Sequence, residues 1–77
     1  SLKKFAGKYD NMEIILSDNK LYLNTIENEL LAESGTKFFS KQNNDRTIEF
    51  IIDQNGKIKQ LRYTKGGVSE LKNKIEN

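Results

Sequence analysis

Arg46-Thr47-Ile48-Glu49-Phe50-Ile51-Ile52-Asp53 runs through Gln54-Asn55-Gly56 into Lys57-Ile58-Lys59-Gln60-Leu61-Arg62-Tyr63-Thr64-Lys65. The first arm alternates, with Ile48, Phe50 and Ile52 on one face and Glu49, Ile51 and Asp53 on the other. A period of two with one apolar face marks a strand of an antiparallel sheet whose other side is wet. Asn55-Gly56 accepts the positive φ of a type I′ turn, so the chain should reverse there. In the second arm Ile58, Leu61 and Tyr63 do not keep parity. One extra residue, a bulge near Lys59-Gln60, would bring them to the same side. These twenty residues read as a β-hairpin.

The same grammar extends in both directions. Turn-forming pairs fall at Asp10-Asn11, Asp18-Asn19, Ser34-Gly35, Asn43-Asn44 and Gly66-Gly67, with a weaker one at Glu27-Asn28. Their spacing is that of hairpins rather than helices. Met12 to Ser17 and Lys20 to Ile26 alternate, and Glu29 to Glu33 and Lys37 to Lys41 fit between as shorter strands. Leu2 and Phe5 sit at helical spacing ahead of Gly7, which predicts one helical turn entering a short first strand. Val68, Leu71 and Ile75 match a helix at i, i+3, i+7, while Glu70, Lys72 and Lys74 alternate with Leu71, Asn73 and Ile75 as a strand would. The Gly-Gly before them favours the strand.

The expected fold is all-β: an up-and-down antiparallel meander of seven or eight short strands, with a short N-terminal helical turn. Closure into a small barrel or half-barrel would remove the two open edges of such a sheet. Phe5, Leu16, Leu23, Phe38 or Phe39, Phe50 and Tyr63 are the residues expected to fill it. Eight strands enclose a space that side chains just fill, or that holds one small ligand.

Length and composition set the outer limits. Seventy-seven residues make one small domain, spanning 1–77. Leu, Ile, Val and Phe supply 21 of them, or roughly 27%, above the about 20% below which disorder is the better reading. The chain opens on Ser1 rather than Met, and it is expected to be a piece excised from a larger protein. Without Cys there is no disulfide, thiolate zinc site or Cys nucleophile, and without His the commonest metal ligand and general base are missing. No catalytic, metal-binding or cofactor-binding residue is expected. No run approaches the length of a membrane-spanning helix. The net charge of +2 divides into −2 over residues 1–36 and +4 over 37–77, too mild to demand nucleic acid.

Several strings imitate chemistry. Ser-x-x-Lys occurs at Ser1, Ser17, Ser34 and Ser69, and Ser17-Asp18-Asn19 adds a Ser-Asp-Asn string, as in penicillin-binding enzymes. Four matches among eleven lysines are what chance supplies, and Asp18-Asn19 belongs to a turn open to water. Glu49 and Asp53 share a strand face that alternation turns to solvent. Phe38, Phe39 and Tyr63 among Lys37, Lys41, Arg62 and Lys65 could stack single-stranded nucleic acid, but adjacent Phe38 and Phe39 point to opposite faces, and no nucleic-acid partner is expected. Ile15, Tyr22 and Ile51 fall opposite the expected core and form the candidate docking patch.

The order of features resembles a known family. Leu2-x-x-Phe5-x-Gly7-x-Tyr9 opens the chain, and Lys20-Leu21-Tyr22-Leu23, Phe38-Phe39, Ile48-Glu49-Phe50, Asn55-Gly56-Lys57-Ile58, Leu61-x-Tyr63 and Gly66-Gly67 follow. This series is similar to the small C-terminal lipocalin-like domain of beta-lactamase-related, penicillin-binding-protein-like serine hydrolases. The resemblance implies a noncatalytic accessory barrel that packs on the catalytic domain of the same parent chain and shapes access or assembly, including homo-oligomerisation. The nucleophile and its partners belong to that other domain. It also implies a bacterial parent that is secreted, periplasmic or in the cell envelope. The alternative is a lipocalin-like barrel holding a small apolar ligand.

Overall fold

A computed structural model describes residues 1–76. Eight strands follow a 3-10 turn over Leu2–Phe5: β1 (Gly7–Tyr9), β2 (Met12–Ser17), β3 (Lys20–Leu23), β4 (Glu29–Ala32), β5 (Lys37–Ser40), β6 (Arg46–Ile52), β7 (Ile58–Lys65) and β8 (Val68–Asn73). Every strand pairs antiparallel with its sequence neighbour, in the order β1 to β8. The sheet then curls until its edges meet. Tyr9 bridges Lys74, the Asp10 N–H donates to Asn73 O at 2.8 Å, and the Ile75 N–H donates to Lys8 O at 2.8 Å. The meander is a nearly closed barrel.

The hairpin that decided the fold is present, with a different turn. Asn55 does not take positive φ; Gly56 alone does, at 77°. The Asp53 N–H donates to Lys57 O and the Gly56 N–H to Asp53 O, the pattern of a three-residue loop closed by a left-handed glycine. The Asp53 carboxylate selects this turn by accepting the N–H groups of Asn55 and Lys57 at 2.8 and 2.9 Å. Double positive φ, as type I′ requires, occurs instead at Asp18-Asn19 (53° and 63°) and at Gly66-Gly67 (55° and 82°). The bulge lies where parity broke: Ile51 pairs with Gln60 and Ile52 with Ile58, leaving Lys59 as the extra residue. That residue lets Ile58 and Leu61 both point inward, where they are 5% and 0% exposed.

The interior is filled by rings. Phe50 stacks on Phe5 at 4.4 Å, and Phe38 meets both edge-on at 5.5 and 5.7 Å. Tyr9 lies tilted 6.0 Å from Phe50, and its hydroxyl donates to the Phe5 carbonyl at 2.9 Å. Burial pushes the Tyr9 phenol up to about 12. Phe5 belongs to the 3-10 turn, so that turn is a plug inserted into one end of the barrel. Ile14, Leu21, Leu23, Leu30 and Ile48 complete the core around the rings.

Of Phe38 and Phe39, Phe38 is the core member, because β5 pairs it with Ile48. Three expectations about the core need correction. Leu16 and Tyr63 pack only at the margin, since they lie toward opposite ends of the barrel. Ile52 is 42% exposed although it pairs with the buried Ile58, because it is the last residue of β6 and lies at the open end of the barrel. The last segment is a strand, with its polarity reversed. Lys72 pairs with inward Leu61 and has a side chain 14% exposed, while Leu71 points outward beside Arg62 at 51%. Lys72 Nζ reaches Asn11 Oδ1 at 3.3 Å, and the Lys74 ammonium stands 5.8 Å from the Tyr9 ring. Their aliphatic stems cover core at the seam, while the charged ends stay near water.

Candidate functional site

The outer surface of the barrel divides into two walls. On β2 to β5 the outward positions include Ile15, Tyr22, Leu31 and Phe39, all half-buried. Ile15 pairs directly with Tyr22, and Leu31 with Phe39. Tyr22 pairs with Glu29, two residues before Leu31, so the two apolar pairs are diagonal neighbours. Glu29 sits between them with its carboxylate 4.0 Å from Lys20 Nζ and 3.9 Å from Lys41 Nζ. On β6 to β8 the outward positions form a polar ladder: Thr64 Oγ1 to Ser69 Oγ at 2.7 Å, Arg62 Nη1 to Glu49 Oε1 at 2.9 Å, and Gln60 Nε2 to Asn73 Oδ1 at 2.9 Å.

The structure therefore brings together two of the three residues singled out for docking. Ile15 and Tyr22 are cross-strand neighbours. Ile51 lies on β6 opposite Gln60, with β4 and β5 between it and Tyr22, roughly 14 Å away along the sheet. In its place the apolar wall contains Leu31 and Phe39. Phe39 is legible once Phe38 is assigned inward, since adjacent strand residues face opposite ways. Leu31 was missed because Leu30-Leu31 offers no polar residue to fix its parity.

Leu31 also links this wall to an opening. A groove of about 360 Å³ runs between Leu2 of the plug and the rim of β3, β4 and β5. Its floor is Leu21, Leu30 and Phe38, its wall is Leu31 and Ala32, and Asn19 and Ser34 edge it. A Cβ built on Gly35 at its lip meets nothing within 4 Å. The groove therefore has room at its mouth and an apolar base.

The strings that resemble catalytic motifs are dispersed. Ser17 and Lys20 flank an exposed turn. Ser69 bonds to Thr64, Lys72 to Asn11, and Ser1 Oγ accepts the Lys3 N–H at 3.3 Å. Glu49 is held by Arg62 on the outer wall, while Asp53 is used by its turn. The Lys57 N–H beside it holds its carboxyl below the ordinary range. Phe38 points inward and Phe39 outward, so the rings considered for nucleic-acid stacking share no surface. Among the described residues, the buried side-chain polar atom without a partner is Arg46 Nε.

Comparison with protein-family models, with curated proteins and with solved structures finds no match for this chain.

Proposed function

We propose that this chain is a noncatalytic accessory barrel that docks on the catalytic domain of a larger protein through the outer wall of β2 to β5. One observation carries this reading: that wall presents Ile15, Tyr22, Leu31 and Phe39 as two diagonal apolar pairs beside Glu29, whereas on the wall of β6 to β8 the outward Ile51 and Leu71 stand among hydrogen-bonded polar pairs. An apolar strip rimmed by charge suits contact with another protein surface. The choice of a beta-lactamase-related serine hydrolase as that domain rests on the sequence resemblance. The reading is tested in the coding frame. Upstream of Ser1 it should encode a hydrolase domain with Ser-x-x-Lys at a helix start; a frame encoding no second domain would overturn it.

The second reading, a barrel for a small apolar ligand, is favoured by the groove under Leu2. Its volume of about 360 Å³ falls at the lower end of small-molecule sites. A neutral fluorescent arylamine should bind there, and Gly35→Phe should fill the groove and abolish the signal without unfolding the protein. Undiminished binding in that variant would remove the reading.

A further inference from the structure

We propose that a second recess, formed by Lys4, Lys57 and Lys74 on the far side of the N-terminal plug, binds a small organic oxyanion, and a phosphate monoester best. The three lysines come from three separate segments: the plug, the end of the β6–β7 return, and the chain just after β8. They line one space of about 320 Å³ together with Gly56, Ile58 and Glu76. Lys20, Lys37, Lys41, Arg62 and Lys72 each have a carboxylate within 4.0 Å. Among the described residues, Lys4, Lys57 and Lys74 have none.

Two of these ammonium groups are placed by rings instead. Lys4 Nζ lies 5.3 Å from the Phe5 centroid and Lys74 Nζ 5.8 Å from the Tyr9 centroid. A ring face holds a cation without neutralising it, so the charge stays available to a ligand. The acids nearby are few. Glu76 lines the recess, and Asp53, in the same return, has its Oδ1 committed to the Asn55 and Lys57 N–H groups. Three cations against one lining carboxylate leave about two positive charges, which favour a dianionic phosphate monoester over a monocarboxylate. The aliphatic stems of Lys4 and Lys74, which lead to ammonium groups beside Phe5 and Tyr9, give an apolar surface for the organic part. The absence of a Cβ at Gly56 keeps the approach open on that side.

The site is independent of the docking wall, because the plug separates it from the groove beside Leu31. The test is an amide NMR titration of the intact chain with phenyl phosphate and, separately, inorganic phosphate, at constant ionic strength. Saturable shifts confined to Lys4, Gly56–Ile58 and residues 74–76 are expected, with phenyl phosphate binding severalfold tighter because its ring rests on the lysine stems. The paired variant K4Q/K57Q changes two exposed side chains and should lose that response, while K20Q/K41Q should keep it. Uniform, unsaturated shifts over all lysine-bearing surfaces, or an unchanged response in K4Q/K57Q, would overturn the proposal. Equal affinity for the two phosphates would overturn the organic part of the assignment.

Discussion

The two outer walls of this barrel are built from the same alternating strands and end up with opposite chemistry. On β2 to β5 the outward residues include the adjacent apolar pairs Ile15–Tyr22 and Leu31–Phe39, with Glu13, Ser17, Lys20, Glu29 and Lys37 around them; on β6 to β8 they are Thr47, Glu49, Gln60, Arg62, Thr64, Ser69 and Asn73, with Ile51 and Leu71 among them. The inner faces of both walls supply core, Ile14, Leu21, Leu23, Leu30 and Phe38 from one and Ile48, Phe50, Ile58 and Leu61 from the other. Core packing accounts for those inner faces, and the difference outside is left for something else to explain. A wall whose polar groups are already bonded to one another suits water. A wall with adjacent apolar pairs gains from being covered.

The walls are joined at two seams, and breaking these gives the largest effects. At one, Phe50 of β6 touches Phe38 of β5 and the plug residue Phe5. Phe50→Ala should cost about 3–5 kcal/mol, and hydrogen exchange should show both walls losing protection together. Protection retained in β2 to β5 alone would mean that the walls fold separately. At the other seam, β1 meets β8 beside Tyr9. Tyr9→Phe leaves the Phe5 carbonyl without its donor and should cost about 1–3 kcal/mol. Because the folded phenol titrates near 12 rather than its ordinary 10, its contribution is complete below pH 10 and fades as pH rises toward 12. Alkaline unfolding curves for wild type and Tyr9→Phe should converge over that window.

Smaller effects sharpen the picture of the polar wall. The Arg62–Glu49 pair is about half exposed, and a double-mutant cycle should return ~0.2–1 kcal/mol that declines with salt. Asp53→Ala should speed amide exchange at Asn55 and Lys57. Since the folded carboxyl is depressed chiefly by the Lys57 N–H, the difference from wild type should hold at neutral pH and disappear as pH falls below about 4.

The strands, their order and the bulge were legible because each is written in local pattern. Met12 to Ser17 alternates without a break, and the parity fault between Ile58 and Leu61 marks the extra residue. Legibility failed where geometry depends on more than neighbouring residues. Whether Ile51 sits near Tyr22 is fixed by the accumulated register across β4 and β5, and no local pattern encodes that. Asn55-Gly56 suggests a two-residue turn until Asp53 is seen to hold the backbone of a longer one. The reversed polarity of β8 defeats alternation altogether. Its inward Glu70, Lys72 and Lys74 line the seam, where inward charges and the three-residue β1 blunt an edge that would otherwise pair with another chain. A pattern read for its core face takes those lysines for the wet side.

The docking claim is tested most directly by binding between this chain and the domain proposed to precede it in the same frame, each expressed separately. Phe39→Lys and Thr64→Lys place the same charge on outward positions of the two walls. The account expects Phe39→Lys to weaken association at least tenfold, which is about 1.4 kcal/mol, and Thr64→Lys to leave it unchanged. Equal weakening by both, or loss only with Thr64→Lys, would contradict it.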